Sequence, residues 1–197
     1  FTPAFAVKFN DFVALVSKGT NRDDAHVSVG RISAHYIKDG EIIGAWQDLG
    51  FGNGFGEPPD YSLRTGLLAY PTMMLQSGYT AQGYTVGSEQ LIEITPDGPQ
   101  VRAIVPTLED TSGAVFGDQG VCTVEGTIKP HKTRQDAFLV DYQFTGPVKG
   151  EDRVVEYTLD PESGTYKSAN PFPDDACAEI TMPLDLLDEE GGGAETE

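Results

Sequence analysis

The stretch from 27 to 49 constrains the fold more than any other part of the chain. In VSVGRISAHYIK (27–38) Ile32, Ala34 and Tyr36 fall on one face of a period-two alternation, and after Asp39-Gly40 a second strand-forming run follows, EIIGAWQDL (41–49). Alternation on both sides of an Asp-Gly pair specifies an antiparallel hairpin with a type I′ turn, because both turn residues take positive φ and Asp and Gly tolerate it. Similar punctuation recurs. LIEIT (91–95) and QVRAIV (100–105) flank Pro96-Asp97-Gly98-Pro99, and RVVEYTL (153–159) and TYKSA (165–169) flank Asp160-Pro161-Glu162-Ser163-Gly164. Each pair is expected to form a hairpin. In AFLVDYQF (137–144) Phe138, Val140, Tyr142 and Phe144 share one face while Asp141 and Gln143 take the other, as in a half-buried antiparallel strand. VCTVEGTI (121–128) and TMMLQ (72–76) are two further strands.

Helical signals are few. Asn10 is placed as an N-cap for 10–18, with Phe12, Val13 and Val16 at helical spacing and Gly19 as a stop, although FVALV also reads as a strand. YSLRTGLLA (61–69) and PLDLLDE (183–189) each allow a turn of helix. The expectation is a mainly β fold, an antiparallel sandwich or partly open barrel built from hairpins with one or two short helices, and α+β as the alternative. No repeat of propeller or solenoid length is present. Residues 1–188 read as one β-rich domain, and 189–197, with Glu189, Glu190, three glycines and a final Glu-Thr-Glu, as an acidic flexible tail.

Composition narrows the class. With 197 residues, 39% apolar and 22% charged, the chain is too hydrophobic for disorder and too polar for a membrane bundle, and no apolar run is long enough to span a bilayer as a helix. Lys and Arg number 13 against 31 Asp and Glu, a formal charge of −18. That field repels phosphate, which argues against nucleic acid and against an anionic bilayer surface. The acid is concentrated late in the chain, where 160–197 carries Lys167 as its one base. Such a run reads as a solvated surface.

Cys122 and Cys177, 55 positions apart and without a CxxC or neighbouring His cluster, are expected to form a disulfide. Ala4-Phe5-Ala6 has the small-x-small form of a signal-peptidase site, and no Asn-x-Ser/Thr sequon occurs. Together these favour a periplasmic or secreted protein, with a bacterial envelope preferred.

Signatures of chemistry are sparse. GFGNGFG (50–56) resembles a phosphate loop in its glycines alone, since Glu57-Pro58-Pro59-Asp60 follows where a helix or a Lys-Ser/Thr pair belongs. It reads as a solvent-facing loop leaving the Trp46 strand. Trp46, Phe51, Phe55 and Tyr61 lie on or near it, and rings on a glycine-rich backbone either fold over a ligand or close the end of a core. In GYTAQGYT (78–85) Tyr79 and Tyr84 are five apart and face opposite ways on one strand, unless a bulge at Gly83 realigns them into a stacking platform. His26, His35 and His131 belong to no HExxH or comparable motif, and His26 and His35 cannot share a metal on one regular strand. Asp23-Asp24 and Asp174-Asp175 lack EF-hand spacing, and no carboxylate pair stands out for glycoside hydrolysis. No cofactor or metal is implied.

The leading expectation is a non-catalytic extracytoplasmic binding domain for a small molecule, a glycan or a protein. Trp46, Phe51, Phe55, Tyr61, Tyr79 and Tyr84 are its candidate contact residues. The rival is a small secreted hydrolase using one of the histidines as base, recognisable by a cleft where that histidine meets a carboxylate and a hydroxyl.

Overall fold

The structure is a computed structural model and describes residues 1–22, 28–52, 56–114, 121–146, 150–172 and 176–177. Twelve strands make up the fold of the described residues. They are β1 (Thr2–Lys8), β2 (Val13–Gly19), β3 (Arg31–Lys38), β4 (Glu41–Phe51), β5 (Asp60–Arg64) and β6 (Thr72–Ala81). The rest are β7 (Tyr84–Thr95), β8 (Gly98–Asp110), β9 (Thr123–Pro130), β10 (Ala137–Phe144), β11 (Arg153–Asp160) and β12 (Thr165–Lys167). β1 to β4 form one antiparallel sheet and β5 to β12 another, each in chain order. Neither closes into a barrel, consistent with a β-sandwich.

The expected hairpins are present. Asp39 and Gly40 have φ of 51° and 86°, and Lys38 pairs with Glu41 across them. The hairpin at 96–99 closes between Thr95 and Gly98, where the Thr95 hydroxyl donates to the Gly98 carbonyl at 2.8 Å and accepts from the Asp97 N–H. In the turn after β11, Asp160 accepts from the Glu162 N–H and the Ser163 hydroxyl, contacts which with Lys167 hold its carboxyl well below the usual range.

Helix was over-read. Strand accounts for 64% and helix for 1%, so α+β is excluded as well. The segment 10–18 is β2 with a turn before it: Phe9 N–H donates to Phe12 O, and Phe12 stacks on Phe9 and Tyr36 at 4.6 and 5.1 Å. Its buried apolar residues are Ala14 and Val16, a period of two, and its β-branched valines suit a pleated surface. Likewise 61–69 opens as β5, in which Tyr61 pairs with Leu75. The expected turn of helix at 183–189 and the tail 189–197 lie outside the described residues.

Two cores meet on β6 and β7. Met73, Leu75, Ile92 and Ile94 face β1–β4 and pack with Val16, Ile32 and Ala34. From the opposite face Met74 and Leu91 join Val105, Phe138, Val140 and Tyr142 in the larger core. β8 pairs with β9 over Leu108–Asp110 alone. Across the fold Tyr142 donates to the Pro106 carbonyl at 2.9 Å, while Arg102 reaches the Gly164 carbonyl and the buried Glu93, each at 2.8 Å. At the edge of this core Cys122 and Cys177 form the disulfide expected from sequence, with S–S 2.10 Å and Cα–Cα 5.5 Å. No helix among the described residues is long and apolar enough to cross a membrane.

Tyr36 ties the small sheet to the β7–β8 turn. It is 2% exposed, and its hydroxyl donates to the Thr95 carbonyl at 2.6 Å. Burial, with Asp97 nearby, pushes its pKa up to about 12. A raised folded-state value contributes stability that is complete below the unfolded phenol value of about 10 and is lost as pH rises through the folded one, here by about 2–3 kcal/mol. Burial raises Tyr166 as well. Urea unfolding at pH 8, 10 and 11 should therefore show stability falling with pH, and Tyr36→Phe should flatten part of that fall. An unchanged pH slope in the variant would show that the hydroxyl is not held in the interior.

Candidate functional site

A cavity lies on the outer face of the small sheet, the side turned away from the core. Alternation dictates which residues reach it. Ile32, Ala34 and Tyr36 point inward from β3, so Arg31, Ser33 and His35 point outward. In β2 the inward residues are Ala14 and Val16, which leaves Ser17 outward and directly opposite Ser33. These outward residues line an open cleft of about 600 Å³, within the ordinary range for a small-molecule site.

β4 contributes through an irregularity. Ile32 pairs with Gly50 and Ala34 with Trp46, so the three residues 47–49 stand against the single residue Ser33. This bulge breaks the alternation: Trp46 and Leu49 pack toward the core, whereas the adjacent Gln47 and Asp48 both line the cleft. Asp48 takes a φ of 59°, a left-handed conformation that Asp tolerates better than branched residues do. Its carboxylate meets Arg31 at 2.8 Å. The anchor behind the bulge is Trp46, which packs 4.6 Å from Tyr36 and against Gly44 and Gly98, where an added Cβ would fall 2.5 and 2.6 Å from the indole.

At the other end of the cleft the ring of Phe1, 79% exposed, lies over Gly19 so closely that a Cβ there would stand 2.7 Å from it. Ser17 and Ser33 form the floor at 8% and 3% exposure. The side chains of Ser17, Ser33 and His35 make no hydrogen bond to another described residue. The cleft therefore has a hydroxylated floor, an ion pair at one rim and an aromatic ring at the other.

The aromatic residues singled out from sequence do not gather in this cleft. Trp46 and Tyr61 are half-buried against the smaller core, Tyr61 with its ring 6.0 Å from Phe5 and Lys18 above it at 5.7 Å. Of Phe51 the backbone alone is described, paired with Arg31, and Phe55 lies outside the described residues. Tyr79 and Tyr84 belong to a hairpin the sequence reading took for one strand. Gln82 and Gly83, with φ of 51° and 85°, are its turn, and the pairs Tyr79↔Val86 and Ala81↔Tyr84 put both rings on one face without a bulge. They are 66% and 41% exposed.

The loop 50–56 also differs from expectation. Rather than facing solvent throughout, Gly50 and Gly56 are buried, and Gly52 and Gly56 donate to the carbonyls of Gly30 and Ser28. Of the histidines, His131 caps its own loop by accepting from the Thr133 and Arg134 N–H groups, and His26 lies outside the described residues, as do Asp23-Asp24 and Asp174-Asp175. No group of three or more metal-ligating side chains occurs among the described residues.

Sequence reasoning missed Phe1, Ser17, Arg31, Ser33, Gln47 and Asp48. For Arg31 and Ser33 a signal existed, since they alternate with His35 on the polar face of the best-read strand. Comparison with protein-family models, with curated proteins and with solved structures finds no match.

The bulge is testable by itself. Asp48→Asn keeps a residue that accepts positive φ and removes only an exposed ion pair, so urea unfolding should shift by less than about 0.5 kcal/mol. Asp48→Val should cost about 1–3 kcal/mol through backbone strain. Equal tolerance of both would mean that the bulge relaxes and does not hold its geometry.

Proposed function

We propose that the chain is an extracytoplasmic, non-catalytic binding domain whose small polar ligand sits in the cleft on the outer face of β1–β4. The observation that carries this reading is the paired floor of Ser17 and Ser33 with His35 beside it, polar side chains turned into a cleft of about 600 Å³ without a described hydrogen-bond partner. Such groups lose free energy when they are shut away from both water and partners, and a ligand that satisfies them gains specificity. The disulfide supports an oxidising compartment, periplasmic or secreted.

The hydrolase reading keeps one observation in its favour, because His35, two serines and Asp48 line the same cleft. Against it, Asp48 is engaged by Arg31, and His35 touches neither a hydroxyl nor a carboxylate at hydrogen-bond distance among the described residues. Base catalysis needs both contacts.

Titrating isotope-labelled protein with a library of small polar fragments tests the proposal. Amide shifts should cluster at Gly19, Arg31–His35 and Gln47–Asp48. A library that moves none of these amides would overturn it. Hydrolysis of p-nitrophenyl esters that disappears in His35→Ala would overturn the non-catalytic part.

A further inference from the structure

We infer that the ligand class is a neutral polyol, a mono- or disaccharide that lays one ring face on Phe1 and directs its hydroxyls to the floor. The inference rests on the reading of this cleft as the binding site and adds the chemistry of the occupant.

Three observations converge on it. The first is the donor and acceptor character of the lining: hydroxyls at Ser17 and Ser33, an amide at Gln47 and an imidazole at His35 each donate as well as accept. Sugar hydroxyls have the same dual character, whereas an anion asks for donors alone and an ammonium for acceptors alone. Second, the two charged side chains that line the cleft compensate each other. Arg31 and Asp48 are paired at 2.8 Å, so neither presents an uncancelled charge, and the chain as a whole, at −18, repels anions. The third observation is the geometry of Phe1. Its ring rests on the backbone at Gly19, is largely exposed, and borders a polar cleft, which gives a flat apolar surface beside hydrogen-bonding groups. A pyranose has that division itself, with C–H groups on its ring faces and hydroxyls around the rim. Gly19 is what permits the arrangement, since any side chain there would lift the ring.

The test is a titration of the full chain, followed by amide shifts, with glucose, galactose, N-acetylglucosamine, maltose and cellobiose, alongside citrate and spermidine as charged probes. At least one neutral saccharide should shift the amides of Arg31–His35 and Gln47–Asp48 in a saturable way. For that saccharide Gln47→Ala and Phe1→Ala, both at accessible positions, should each weaken the dissociation constant by about tenfold. Their circular dichroism and melting temperatures should stay at the wild-type values. Ser33→Ala should weaken it similarly, but the exposed positions decide the matter if that buried variant folds poorly. Saturable shifts in the cleft with citrate or spermidine, and none with the saccharides, would overturn the polyol assignment and leave the cleft a binding site. Saccharide binding that Gln47→Ala and Phe1→Ala leave unchanged would overturn the assignment too. If neither the saccharides nor the polar fragments move these amides, the binding reading fails with it.

Discussion

The halves of β6 and β7 at 72–75 and 91–95 are buried from both sides, and the rest of the molecule is arranged around that fact. Met73, Leu75, Ile92 and Ile94 are claimed by the small sheet, while Met74 and Leu91 are claimed by the large core. Burying one such side chain stabilises by roughly 1.5–3 kcal/mol, so the pair of strands carries a large share of the apolar gain of both halves. A strand with two covered faces must be nearly continuous in apolar residues, and MML (73–75) and LIEI (91–94) have that character. Glu93 is the exception. It takes Arg102 at 2.8 Å and the Tyr70 N–H at 2.7 Å, which supplies the partners a buried carboxylate requires.

The candidate site follows from the same arrangement. Because the small sheet satisfies its apolar requirement on its inner face through Ala14, Val16, Ile32 and Tyr36, its outer face is free to be polar. The bulge at 47–49 adds the second ingredient. With Trp46 fixed between Tyr36 and the two glycines, the chain reaches Leu49 and the core again only by putting Gln47 and Asp48 on the same side. One irregularity, held in place by an indole, converts a flat sheet face into a cleft with an ion pair at its rim.

Much of this was legible in the residues, and what was not has identifiable causes. Alternation located β3 and β10, each with one polar face, but not β1 or β5, and turns such as Asp39-Gly40 and Pro96-Asp97-Gly98-Pro99 marked hairpins. The β6–β7 hairpin escaped notice because its turn is Gln82-Gly83: Gln is a rare occupant of positive φ and gives no warning. β2 reads first as a helix because VALVS (13–17) suits either period, and long-range pairing with β3 decided the outcome. The cleft depends on two features without a sequence signature, a bulge and a ring resting on a glycine 18 positions away. The aromatic residues that drew attention are divided between core and surface, since ring content by itself does not say which face of a strand is covered.

The shared pair of strands makes the two cores one thermodynamic unit, and urea unfolding of Ile92→Ala beside the wild type tests this most directly. Trp46, the one tryptophan of the chain, reports the small core by fluorescence, and far-UV circular dichroism reports mainly the larger sheet. Ile92 belongs to the small core. Its truncation should nevertheless lower both signals' midpoints together, by the equivalent of about 2–5 kcal/mol, with the two curves superimposed in each protein. A fluorescence transition that moves to lower urea while the dichroism transition stays where it was would contradict the account.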